Sequence, residues 1–247
     1  MRKLSTGWRT IVLEQHERLE LKNDQMILRD DDREQAIALN QIRDLVISYP
    51  SGSITLPLLK RLSEESVNVI ICDSRREPMA QLIGLHQHTE TAGHLMDQAE
   101  WSAKRKDAMW KSIVRNKLTM QSQLLNSLHR KEADQLLRYA SGVRLGDKTN
   151  REGLGAKVYF PALFGEGFIR QAPDEINAAL NYGYTILNTA MSRIVTIHGY
   201  HTALGIHHCS RDNPVNLSCD IMEPFRPLVD EIVVKYMGKE LDWPYKQ

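Results

Sequence analysis

Gln81-Leu-Ile-Gly-Leu-His-Gln-His-Thr-Glu-Thr-Ala-Gly-His-Leu-Met-Asp-Gln-Ala-Glu-Trp101 is the stretch in which the periodicity of this chain changes. Before it, short β-prone runs recur with turn formers between them: Trp8–Leu13, Arg18–Leu21, Gln25–Leu28, Ala36–Leu39, Asp44–Ser48 and Val67–Cys72. Lys22-Asn-Asp24 and Asp30-Asp-Asp32 supply breaks, and one helix interrupts, Thr55–Ser63, with Thr55 as its N-cap. After it, Trp110, Ile113, Val114, Leu118, Leu124, Leu125 and Leu128 recur near the 3.6-residue spacing of an amphipathic helix. The pattern predicts an α+β protein, with a small antiparallel β-sheet or sandwich over residues 1–85 and a larger all-helical domain over 86–247. His86, His88 and His94 fall at the boundary without a carboxylate cluster and read as linker residues.

At 247 residues, 42% of them hydrophobic, the chain is long enough to bury one large core or two modest ones. No apolar run approaches the ~18 residues of a membrane span. The first residues carry positive charge without the apolar core of a signal peptide, so a cytoplasmic location is expected. Three cysteines, Cys72, Cys209 and Cys219, show no paired spacing and read as free thiols. A zinc site using Cys209, Cys219 and a neighbouring histidine lacks four soft ligands.

A net charge of +1 hides an uneven distribution. Between Trp101 and Arg151 there are 12 Lys/Arg against 4 acids. Such a stretch inside a neutral protein reads either as a phosphate-backbone contact surface or as a solvated helix face.

Further along, Gly205-Ile-His-His-Cys-Ser-Arg-Asp-Asn-Pro-Val-Asn-Leu-Ser-Cys-Asp-Ile-Met-Glu-Pro-Phe-Arg226 sets a histidine pair in a turn-rich loop ahead of a helix carrying Asp220 and Glu223. Acids three apart share a helix face, where they repel unless a cation intervenes. Oxygen ligands with one imidazole suit Mg2+ or Mn2+. The same acids would also serve as helix caps, and either histidine as a packing residue. Pro227 removes the hydrogen bond to the Glu223 carbonyl, so an irregular backbone is expected there. In Lys148–Phe160, Thr149 or Asn150 caps a helix whose first turn holds Glu152. Gly153, Gly155 and Ala156 leave that helix bare on one side, for close packing or for a phosphate backbone. Asp174–Ile197 reads as a long amphipathic helix whose second face carries Asn177, Asn181, Tyr184 and Asn188. No Walker loop, GxGxxG or GxSxG occurs.

Taken together, Gly7-Trp-Arg-Thr10, Arg151-Glu-Gly153, Ala156-Lys-Val-Tyr-Phe160, Leu180-Asn-Tyr-Gly-Tyr184, Leu204-Gly-Ile-His-His208 and Asn216–Arg226 resemble the CRISPR-associated adaptation endonuclease family. This is the catalytic subunit of the complex that inserts new spacers into the repeat array, and the likeness is nearest to members accompanying type II systems. The resemblance implies an N-terminal β-domain with dimer and partner contacts, and a helical domain binding Mg2+ or Mn2+. By position the ligands are Glu152, His208 and Glu223, with Asp220 and His207 beside them. It implies attack by a spacer 3′-hydroxyl, or by water, on a DNA phosphodiester without a covalent enzyme intermediate. Lys104, Lys111, Arg115, Arg138, Arg144 and Arg226 would hold phosphates of double-stranded DNA. A homodimer is implied, two of which enclose a small Cas integrase partner dimer, with type II effector proteins as further partners. Family members run on through more helical residues, whereas this chain stops at Gln247, so the helical domain is expected to be shortened at its C-terminal end. A catalytically inactive DNA-binding protein of the same fold, and a metallohydrolase of small phosphoesters, are the competing readings.

Overall fold

The computed structural model describes residues 7–14, 18–30, 33–48, 51–74, 78–82, 84 and 90–236. The expectations placed on Asp31 and Asp32, on His86 and His88, and on the C-terminal residues 237–247 lie outside the described residues. Two compact units divide the chain: residues up to His94 with Arg193–Tyr200, and Leu95–Ser192 with the residues from His201 onward.

The first unit contains β1 (Arg9–Leu13), β2 (Arg18–Lys22), β3 (Gln25–Asp30), β4 (Arg33–Ala38), β5 (Ile42–Ile47), β6 (Ser53–Ile54), α1 (Leu56–Glu64), β7 (Asn68–Cys72) and β8 (Pro78–Leu82). They form two four-stranded sheets, ordered β1-β5-β7-β8 and β4-β3-β2-β6. Antiparallel pairing, as expected, joins β2, β3 and β4. The β2–β3 turn puts Asn23 and Asp24 at φ 50° and 60°, the left-handed pair that a two-residue hairpin of matching twist requires.

Apart from β6, which pairs parallel with β2, that sheet is antiparallel; the other departs further, because β1 pairs parallel with β5 and β5 parallel with β7. The connection explains the second pairing: α1 separates β5 from β7, and a crossover through a helix returns the chain in the same direction, where a tight hairpin would reverse it. Leu13, Leu19, Met26, Leu45, Leu58 and Val69, drawn from both sheets and α1, share one core. Each contributes roughly 1.5–3 kcal/mol by leaving water.

From Thr91 onward every regular element among the described residues is helical: α2 (Thr91–Ala99), α3 (Ala103–Ser127), α4 (Ala133–Ser141), α5 (Arg151–Phe164), α6 (Glu175–Ile197), α7 (Asn216–Met222) and α8 (Arg226–Tyr236), with short 3-10 turns between some of them. Ser102 caps α3, its hydroxyl accepting the Arg105 N–H at 3.2 Å. One face of α3 buries Trp110, Val114, Leu118, Gln121 and Leu125, a helical repeat that packs onto Leu136 of α4 and Tyr159 and Leu163 of α5. Gly155 of α5 faces this helix so closely that a Cβ would lie 2.2 Å from Leu118 Cδ2. Gly155 therefore serves close helix packing, whereas Gly153 leaves room for the Asn150 side chain. A second cluster joins Leu180, Tyr184 and Met191 of α6 to Met222, with Val229 and Val233 of α8 against it. No helix among the described residues is long and apolar enough to cross a membrane.

Candidate active site

Glu152 enters the site through a doubly capped helix start. The carboxylate of buried Asp147 accepts the Arg151 and Glu152 N–H groups, each at 2.9 Å, and Asn150 Oδ1 accepts the Gly153 N–H at 3.1 Å. Asn150, one of the two expected caps, does the capping from a left-handed φ of 49°. Asp147 was not foreseen, although an acid just ahead of a helix start is a common capping signal.

Glu223 lies in a 3-10 turn, Glu223–Phe225, between α7 and α8. The irregular backbone expected from Pro227 is present, and the Glu223 side chain within it is only 5% exposed. Asp220 and Glu223 sit at the end of α7 and beyond it, not in a first turn, so neither caps that helix.

Both carboxylates converge on one cation, Lys117 of α3. Its Nζ is 2.6 Å from Glu152 Oε1 and 2.5 Å from Glu223 Oε2, with the lysine side chain only 12% exposed. Burial lowers the affinity of this ammonium for its proton, and the charges of Glu223 and Glu152 more than offset that, raising it above the ordinary lysine range. No hydrogen bond of normal geometry reaches Glu223 Oε2 despite this proximity, whereas its Oε1 accepts Arg226 Nε–H at 2.8 Å. Sequence reasoning assigned Lys117 no role. The signal was its position on α3 between Val114 and Leu118, where an apolar stripe has no reason to carry a charge.

His208 is held by a backbone cradle around Asp220, whose side chain is fully buried. Asp220 Oδ2 accepts the N–H groups of Ile206 at 2.6 Å and His207 at 3.0 Å, and Oδ1 accepts that of His208 at 3.1 Å. The His208 ring places Nδ1 2.7 Å from the same Oδ1. A carboxylate there only accepts, so Nδ1 carries the proton and Nε2 is the nitrogen left with a lone pair. This bond holds the His208 imidazolium above its ordinary range, against burial, with Asp220, Glu223 and Glu152 adding their charge. Gly205 is required by the cradle, since a Cβ would lie 2.1 Å from the His208 carbonyl oxygen. Asn216 braces the loop by donating to the carbonyls of Ala203 and Ser210, and Gln98 by donating to those of His201 and Leu204.

His207 is not part of this cluster. Its ring stacks on Trp110 with centroids 4.1 Å apart and planes 3° from parallel. Asp220 orients rather than faces the carboxylate pair. Arg226, expected on a phosphate, gives Nε to Glu223 and lies 4.5 Å over the Tyr184 ring. Tyr184 and Tyr159 both donate to Asp230, Tyr159 at 2.7 Å. Burial pushes Asp230 up to about 6, against the pull of the two hydroxyls, and raises both tyrosines above their ordinary range. Arg170, ahead of α6, donates to Asn177 and Asn181 of that helix at 2.9 and 2.8 Å.

The remaining basic candidates stay at the surface. Lys104, Arg115, Arg138 and Arg144 are exposed and Lys111 half-buried. Lys104, Lys111 and Arg115, spaced by seven and four, share one side of α3. Cys72, Cys209 and Cys219 are free, as expected.

Among the described residues no three His, Cys, Asp or Glu side chains form a ready metal shell. Two carboxylates nevertheless meet one positive charge, with an imidazole close enough to feel both, and a buried carboxylate oxygen lacks a donor in line. Oxygen and nitrogen donors of this kind fit a Mg2+ or Mn2+ ion, with the Lys117 ammonium as the group that would have to give way.

A strand-rich unit followed by helices is also the fold of several solved proteins. The chain matches a casposase bound to integration product with TM-score 0.75 and 18% identity, over 93% of this chain and 72% of that one. It matches a Cas1 protein from Thermotoga maritima with TM-score 0.71 and 16% identity, over 92% and 78%. A Cas6-RT-Cas1 chain solved in complex with Cas2 matches with TM-score 0.68 and 23% identity, over 95% of this chain and 28% of that one. Residues 10–241 match the family model for CRISPR associated protein Cas1, and the chain belongs to that family. It is 36% identical to the CRISPR-associated endonuclease Cas1 of Neisseria meningitidis serogroup C over 92% of this chain and 75% of the relative.

Proposed function

We propose that this chain is a divalent-metal-dependent DNA endonuclease and integrase of CRISPR adaptation, with Glu152, His208 Nε2 and Glu223 as the groups that hold the ion. The observation that carries the proposal is the convergence of Glu152 and Glu223 on a single cation position beside an imidazole whose tautomer Asp220 sets. When bound, Mg2+ or Mn2+ would neutralise charge on a DNA phosphodiester and on the oxygen leaving it.

The protein's own groups do the rest. Asp220 keeps the His208 proton on Nδ1, and Arg226 fixes the Glu223 rotamer. Lys104, Lys111 and Arg115 on one side of α3, with Arg138 and Arg144, attract the phosphate backbone and leave base sequence unread. No side chain in the cluster is placed as a covalent nucleophile, which suits direct attack by a 3′-hydroxyl or by water. Family membership and the solved complex containing Cas2 support a small Cas2 partner. A homodimer and association with type II effector proteins belong to the same proposal.

A second reading has one observation in its favour: Lys117 already pairs with both carboxylates, as it would in a DNA-binding protein without catalysis. Strand transfer of a 3′-hydroxyl duplex into a repeat-bearing plasmid, in Mg2+ or Mn2+, decides between them. Activity that disappears in E152A, H208A and E223A while duplex binding persists supports the integrase. Strand transfer unchanged in all three variants refutes the ligand assignment, and its absence from the wild type favours the second reading.

A further inference from the structure

We infer that Lys117 is a built-in competitor for the divalent ion, a positioning residue whose ammonium keeps Glu152 and Glu223 together and must leave them for the ion to bind. The inference rests on the metal-site reading above and goes beyond it, because it makes metal affinity a property of a residue that is not a ligand. Three observations carry it. The oxygens that would ligate the ion, Glu152 Oε1 and Glu223 Oε2, are the two that meet Lys117 Nζ, at 2.6 and 2.5 Å. Lys117 projects from the face of α3 that also presents buried Val114 and Leu118, so the ammonium is held at the site by a packed helix. Glu223 has a second cation, Arg226 Nε, on its other oxygen, so it stays partly compensated when Lys117 withdraws.

Two carboxylates facing each other without a cation, Glu223 buried and Glu152 only partly exposed, are unfavourable, and any cation entering between them reduces that cost. An ammonium that already reduces it leaves less to be gained by a divalent ion. Lys117 therefore lowers metal affinity and keeps the ligands assembled until DNA, or a high ion concentration, favours the exchange. An apolar residue of similar length reverses both effects.

The test uses the full chain and Mn2+ alone, read from the electron paramagnetic resonance signal of free Mn2+, with circular dichroism to establish folding. Wild type, Lys117→Met, Lys117→Arg and Glu152→Gln are compared. Lys117→Met is expected to bind Mn2+ at least about tenfold more tightly than wild type, Lys117→Arg to stay close to it, and Glu152→Gln to bind more weakly. The shift of the thermal midpoint with Mn2+ is the second measurement, expected to be larger in Lys117→Met than in wild type even if that variant is marginal without the ion. Equal or weaker Mn2+ binding by Lys117→Met, with wild type binding normally, overturns the role of Lys117 alone. Absence of Mn2+ binding from both wild type and Lys117→Met overturns the metal site itself and this inference with it.

Discussion

Replacing Asp220 by Asn turns one carboxylate oxygen into an NH2 group at constant size. Four donors converge on the wild-type carboxylate: the N–H groups of Ile206, His207 and His208, and His208 Nδ1. An amide accepts at only one of its two heads. With nitrogen at the Oδ2 position, two backbone N–H groups face a donor. With nitrogen at the Oδ1 position, one does, and His208 must offer a bare Nδ1 and carry its proton on Nε2. The second arrangement costs less. It leaves one buried N–H unsatisfied, about 1–3 kcal/mol, and changes two charge-assisted bonds into neutral ones at roughly 1 kcal/mol each. A loss of about 4 kcal/mol in urea unfolding is expected. A protonated Nε2 offers no lone pair, so Mn2+ affinity should fall by about 10–100-fold, the usual consequence of losing a partner that orients a ligand. Nitrogen-15 NMR of the histidine ring reports the tautomer directly. An Asp220→Asn protein that keeps its proton on Nδ1 and its full Mn2+ affinity would refute the reasoning.

Other consequences are open to measurement. Asp230 moves from an unfolded value near 3.8 to about 6 in the fold, so between those values the folded chain holds a proton that the unfolded chain has lost. Its contribution is therefore greatest at or below pH 4 and declines as pH rises to 6, by about 3 kcal/mol; denaturant midpoints of Asp230→Asn should lose that slope. Gly155→Val drives a branched side chain into Leu118 and should destabilise by about 1–3 kcal/mol in the same assay, partly recovered by pairing it with Leu118→Ala. Lys111→Gln and Arg115→Gln should each lower the salt dependence of duplex binding by roughly one phosphate contact without changing sequence preference. Equal slopes in wild type and variants would remove that side of α3 from the DNA surface.

Much of this was legible in the order of residues, because strand and helix periods depend on local side-chain alternation. The six β-prone runs became strands, the 3.6-residue repeats became α3 and α6, and Asn150 capped α5 because such signals act over a few residues. Pairing direction in the first unit was not legible as antiparallel throughout: α1 was visible, but which strands its crossover joins is a long-range matter. The residues that depart from their periodic surroundings proved the least readable. Lys117 in an apolar stripe and Asp230 beside Val229 have no local reason to be charged. Only tertiary packing supplies their partners, Glu152 and Glu223 for one, Tyr159 and Tyr184 for the other. Likewise the family resemblance singled out His208 over its neighbour His207, while only the fold supplied the physical distinction, one ring stacked on Trp110 and the other oriented by Asp220. Charge tolerates burial only beside its complement, and that complement lies up to 106 residues away for Lys117, a distance across which no local pattern carries information.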